Sequence, residues 1–165
     1  METIAVYWEP KIRVYGLSTQ TGLSLYTVIF PVGRTAYWGK RIAMLEEIGI
    51  EFQLVNLQTQ SAGIMQLCLL LARDDSAREG RRLLEKGLEN EDATALQEAA
   101  PVELIYLHGP HFQDRYGIAE AAIAPLHKAD IPILAAGCSG TSVYLVVPEN
   151  GAGMAAACLA ETFAI

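Results

Sequence analysis

The spacing of hydrophobic residues changes several times along the chain, and each change marks an element. Residues 3–8 (Thr-Ile-Ala-Val-Tyr-Trp) read as a short strand stopped by Glu9-Pro10. Residues 11–16 alternate, with Ile12 and Val14 on one face. Residues 17–22 are rich in Ser, Thr and Gly and predict a turn. Leu23 to Phe30 is a strand with strong β-formers at Tyr26, Thr27, Val28 and Ile29, and Pro31-Val32-Gly33 stops it. From Trp38 the period becomes helical. Trp38, Ile42, Leu45 and Ile48 form one apolar stripe, with Thr35 as N-cap and Gly49 just past the end.

Strands follow at 50–58 and 64–71, joined by a connector at 59–63. Asp74-Asp75-Ser76 opens a helix to about Leu88. Its Ala77, Gly80, Leu84 and Leu88 face inward, and its Arg78, Arg81, Arg82 and Lys86 face water. Residues 89–100, acidic and Ala-rich, read as a junction with some helix. The pattern then begins again. A strand covers 102–107, a loop 108–113, a helix about 115–129, strands 131–136 and 142–147, and a last helix about 150–163.

The order strand-helix-strand-strand-helix thus occurs twice. Ile42, Leu45, Ile50 and Phe52 match Ile123, Leu126, Ile131 and Ile133 at one constant offset. A duplication explains that constancy, with a first unit over 1–92 and a second over 93–165. The repeat is too long for a solenoid, so two paired units are expected. Each strand-helix-strand passage favours a right-handed crossover, and each hairpin adds an antiparallel neighbour. Both helices of a unit then lie on one face of its sheet.

Composition narrows the function classes. The chain has 165 residues, 52% of them hydrophobic, and a net charge of −7. That acidity argues against nucleic acid and against anionic membrane surfaces as partners. No apolar run approaches the ~20 residues that a membrane span needs. Cys68, Cys138 and Cys158 are odd in number and lie in apolar stretches. They read as reduced thiols in a cytoplasmic protein, and the N-terminus shows no signal-peptide pattern.

Little in the sequence points to catalysis. His108, His111 and Asp114 have a spacing open to a metal, but loop spacing alone makes no site, and no metal or cofactor is expected. Cys138-Ser139 lies in a small-residue turn, and the nearest histidine in sequence, His127, falls on an exposed helix position, so no catalytic residue is assigned. The small residues of that turn suit either an ordinary tight turn or close approach to a ligand. Glu46-Glu47 and Asp74-Asp75 read as a solvated face and a helix start. Arg78, Arg81 and Arg82 could hold a phosphate but read first as a solvated face. The best-placed binding sites are helix N-termini, whose free N–H groups favour a carboxylate. In the first half this is Val32 to Thr35, with Gly33, Arg34 and Thr35, Arg34 pairing with a carboxylate. In the second it is Phe112 to Ile118, with Phe112, Asp114, Tyr116, Gly117 and Ile118. Asn56, Gln58, Gly137 and Ser139, at strand ends, could satisfy an amino group.

The second half carries a resemblance. Gly109-Pro110-His111-Phe112-Gln113-Asp114-Arg115-Tyr116-Gly117-Ile118-Ala119, then Leu126-His127-Lys128-Ala129-Asp130-Ile131-Pro132-Ile133, Ser139 and Val143-Tyr144-Leu145-Val146-Val147, resemble an ACT domain. The likeness is to the second of the two in the regulatory part of aspartate kinases. Ile48-Gly49-Ile50-Glu51-Phe52 is similar to the matching passage of the first, and together the two cover about residues 11–163. Asp114 and Gly117 keep part of the family's loop pattern, and Tyr116 stands where a proline is usual. The first-half loop has no acidic residue. Pro125 inside a helix is a further departure. No glycine-rich phosphate loop with a lysine is present.

The resemblance implies an α+β fold of two ferredoxin-like βαββαβ units in tandem, with antiparallel sheets and helices on one face. It implies a non-catalytic module that binds a small-molecule effector, expected to be an amino acid, often at an interface between units. The expected assembly is a homodimer, acting on itself or on a partner enzyme. The alternatives are an assembly module with degenerate ligand sites and an aspartate kinase-related regulatory subunit.

Overall fold

A computed structural model describes residues 11–88, 95–110, 112 and 116–164. The elements run β1 (Ile12–Arg13), β2 (Gly16–Pro31), a 3-10 turn (Val32–Arg34), α1 (Thr35–Glu47), β3 (Phe52–Ser61), β4 (Ile64–Ala72) and α2 (Ala77–Lys86). They continue with β5 (Ala95–His108), α3 (Ile118–Lys128), β6 (Ala135–Cys138), β7 (Ser142–Pro148), α4 (Ala152–Thr162) and β8 (Phe163–Ala164). The strand expected at 3–8 and the stretch 89–94 lie outside the described residues.

The chain forms two compact units, Thr21–Val102 and a second made of residues 1–20 and Glu103–Ile165. This differs from a division at residue 92. β2 crosses the boundary after residue 20 and β5 the boundary after residue 102, so residues 11–20 join the later unit. The Thr21–Val102 unit follows βαββαβ with strand order β3-β4-β2-β5. In the other unit the order is β6-β7-β5-β2, and β1 pairs parallel with β8. β2 and β5 therefore exchange roles, as first strand in one unit and last in the other.

Alternation explains the core of the Thr21–Val102 unit. Tyr26, Val28 and Phe30 on β2, with Leu67, Leu69 and Leu71 on β4, share one face, which Trp38, Leu45 and Leu84 of the two helices cover. Ile48, expected on the α1 stripe, is 43% exposed. It sits at the C-cap, where the chain has already left the helical path. In the other unit, Ile105, Leu107, Val143, Leu145 and Val147 pack under Ile118, Ala122 and Leu126 of α3 and Ala152, Ala155 and Leu159 of α4.

Several boundaries depart from the pattern, for local reasons. Residues 17–22 are strand rather than turn, because Thr19 and Thr21 suit extended backbone and Gly22 takes φ +68 inside the strand. The β3–β4 connector shrinks to Ala62-Gly63, so Thr59 still pairs with Met65 and Ser61 with Ile64. Residues 95–100 are strand, part of β5. β6 starts at Ala135 rather than 131, since Pro132 offers no N–H to a ladder. Thr35 does not cap α1 with its side chain. Its Oγ1 donates to Val32 O at 2.7 Å, closing the 3-10 turn. Pro125 does lie within α3.

Candidate functional site

The start of α1 is a packed cationic corner. Arg34 and Arg41 stack over the Tyr37 ring, at 4.5 and 5.2 Å from its centroid. Arg41 also donates to Tyr37 Oη through Nε (3.2 Å) and Nη2 (2.9 Å), and that hydroxyl donates to Gly87 O. Gly33, Arg34 and Thr35 are thus together, with Gly33 exposed. The Thr35 N–H donates to Val32 O, so one helix-start donor is already used. Asn56 and Gln58 lie on edge strand β3, opposite Cys68 and Gln66. They share a face, with Asn56 half-buried and Gln58 exposed.

The start of α3 is built differently. Gly117 is its N-cap at φ +81, a left-handed conformation that suits glycine. Tyr116 beside it is fully exposed. Phe112 and Ile118 are buried in the core, so their side chains pack and only their backbone can meet a ligand. Asp114 lies outside the described residues. Gly137 faces Tyr144 across the β6–β7 ladder, and a Cβ there would run into the Tyr144 ring. Its smallness accommodates that ring. Ser139 closes the hairpin, its N–H donating to Ser142 O at 2.8 Å and its Oγ to the same oxygen at 3.4 Å.

Two polar clusters were not singled out by sequence. Buried Ser142 Oγ contacts Tyr106 Oη at 2.8 Å, His108 Nδ1 at 3.3 Å and Thr141 Oγ1 at 3.4 Å. The period of two that puts Tyr106 and His108 on one face was the available signal, and their rings stack. The second cluster joins β2, β5 and α2. Tyr26 Oη donates to Glu98 Oε1 at 3.1 Å, and Arg81 donates to Glu98 Oε2 at 2.5 Å and to Glu85 at 2.8 Å. Burial, then the charge of Glu98, pushes the Tyr26 hydroxyl up to about 12. The hydrogen bond to Glu85 and the charge of Glu98 raise Arg81 further above its ordinary range. Asp74, at the start of α2, is held below the usual carboxylate range, mainly by the Ser76 hydroxyl and also by the Ser76 and Ala77 N–H groups.

Among the described residues no group of three His, Cys, Asp or Glu side chains stands together to hold a metal. No helix among them is long and apolar enough to cross a membrane.

No family model matches this sequence, and no curated protein sequence does either. Solved structures do match. The regulatory subunit of aspartate kinase from Thermus flavus is 14% identical, with 90% of this chain and 97% of that chain covered, at a TM-score of 0.78. The ligand-free form of the regulatory subunit from Thermus thermophilus is also 14% identical, covering 92% and 99%, at 0.78. Aspartate kinase from Synechocystis is 14% identical over 94% of this chain but only 27% of its own, at 0.81. The chain therefore has the α+β fold of the aspartate kinase regulatory region, two ferredoxin-like units of the ACT type. The proteins it matches nearly end to end are regulatory subunits of aspartate kinase.

Proposed function

We propose that this chain is a non-catalytic regulatory module that binds a small molecule, an amino acid or a close relative, and acts through a ligand-linked change in a homodimer or a partner enzyme. The near end-to-end likeness to aspartate kinase regulatory subunits carries this reading. The loop into α3 supports a place for the ligand, because Gly117 opens the backbone there and Tyr116 stands free in solvent. A carboxylate would meet the first N–H groups of α3, while Asp114 and the Gly137–Ser139 turn would take the ligand's amino group. The corner of Gly33, Arg34 and Thr35, with Asn56 and Gln58, is the matching place in the other unit. A partner kinase of the kind its structural relatives regulate is the natural first candidate. Three unpaired cysteines suit a reducing cytoplasmic setting.

The test is thermal melting of the chain against each of the twenty amino acids. A ligand at 100 times its dissociation constant adds ~2.7 kcal/mol of stability. No shift with any of them at millimolar concentration overturns the reading. A second reading is an assembly module whose first-unit site has decayed. It is favoured by Thr35, which spends its N–H and its hydroxyl on Val32 O. The exposed Val55 and Leu57 on edge strand β3 also suit assembly. In that case Arg34→Ala and Asp114→Ala leave all association unchanged.

A further inference from the structure

We propose that the Thr21–Val102 unit holds a second small-molecule site, a cleft between α2, β2 and β5 that takes an oxyanion-bearing ligand. The cleft has a volume of about 360 Å³, within the range of small-ligand sites. Its floor is fixed. Ser24 and Tyr26 are both 2% exposed, and Tyr26 is tied through Glu98 to Arg81. Arg73, Asp75 and Arg78 stand on its walls.

Which charges are already engaged decides the ligand's chemistry. Glu98 is engaged by Tyr26 and Arg81, and Asp74 by Ser76 and Ala77. Arg82, outside the cleft on the same helix, pairs with Glu79. The charged groups lining the cleft that have no ion pair or side-chain hydrogen bond among the described residues are Arg73, Arg78 and Asp75. The lining charges balance, Arg73, Arg78 and Arg81 against Asp74, Asp75 and Glu98, and the two guanidiniums without an ion pair are the groups open to an anion. Guanidinium forks match phosphate and carboxylate oxygens. Because Asp74 already occupies the α2 N-terminus, the anion is held by side chains and not by the helix end. Asp75 adds room for a positive group on the same ligand. A ligand here would tie α2 to β2 and β5, the two strands whose chains run on into the other unit. The site is separate from the loop into α3 and does not depend on it.

The test is an amide NMR titration of the full chain with inorganic phosphate, and in parallel with succinate, at constant ionic strength set by chloride. The expected result is saturable shifts at Tyr26, Glu98 and residues 74–81. Arg73→Gln with Arg78→Gln should weaken binding by about tenfold or more. Arg82→Gln should leave it within about twofold, as a surface ion pair carries little. Saturation by phosphate alone assigns a phosphate ligand, and saturation by succinate a carboxylate ligand. Shifts that never saturate, or that are unchanged in the double variant, overturn the proposal. Failure here leaves the amino-acid reading standing, since its site is the loop into α3, and the amides that move tell the two sites apart.

Discussion

The Ile131 N–H donates to the Leu126 carbonyl at 3.0 Å, and the matching bond joins Ile50 to Leu45 at 3.1 Å in the other unit. Both helices end alike. Gly49 donates to Glu46 O at φ +82, and Asp130 donates to His127 O at φ +53. The repeated spacing read in the sequence thus coincides with a repeated helix ending in the backbone. The left-handed position is cheap for glycine and costly for other residues. Gly49→Ala should lose about 1 kcal/mol, and Asp130→Gly should gain a few tenths to about 1 kcal/mol. Urea denaturation of both variants measures this. A gain from Gly49→Ala would contradict the shared helix ending.

Buried Glu103 accepts the Ala152 N–H at 2.7 Å and so closes the start of α4 from β5. Glu103→Ala strands that N–H in the core and should cost about 1–3 kcal/mol. Glu103→Gln keeps an acceptor and should cost less. Equal losses in the two variants, read by chemical denaturation, would show that the cap contributes nothing.

Gly137 leaves the space that the Tyr144 ring occupies. Gly137→Ala should therefore cost about 1–3 kcal/mol, as overpacking does. Adding Tyr144→Ala should remove most of that penalty, a coupling that a double-mutant cycle reads directly. Additive losses would contradict the contact.

Tyr26 gives a pH dependence of known sign. Its folded-state pKa of about 12 lies above the ordinary value of 10.0. The folded state then holds more protons between the two values, so this contribution is complete below pH 10 and lost as pH rises toward 12. The ultraviolet difference titration between wild type and Tyr26→Phe should centre near pH 12. A centre near pH 10 would contradict burial against Glu98. Asp74 runs the opposite way. Its depressed pKa makes the advantage over Asp74→Asn present above the ordinary carboxylate range and lost as pH falls below it.

Much of the fold was legible because alternation and helical spacing are strong signals. The stripes through Trp38 and Leu45 and through Leu126, and the alternation of Val143, Leu145 and Val147, all mark core positions. What was not legible is the exchange of β2 and β5. Ser18, Thr19 and Thr21 read locally as a turn, and the acidic stretch before Val102 as a junction, whereas sheet pairing holds residues 16–22 and 95–102 extended. Site residues were harder. Gly117 was readable because a helix start with glycine has a local meaning. Phe112, Ile118 and Gly137 were read as candidate contacts, yet packing against the core or Tyr144 claims their side chains. The Tyr26–Glu98–Arg81 cluster joins residues far apart in sequence, so no local pattern announces it.

The most direct test of ligand binding at the α3 start is an amide NMR titration of the whole chain with each of the twenty amino acids. The account predicts saturable shifts for at least one of them, concentrated at Tyr116, Gly117 and Ile118. No saturable shift with any amino acid, or saturable shifts that leave those three amides unmoved, would contradict it.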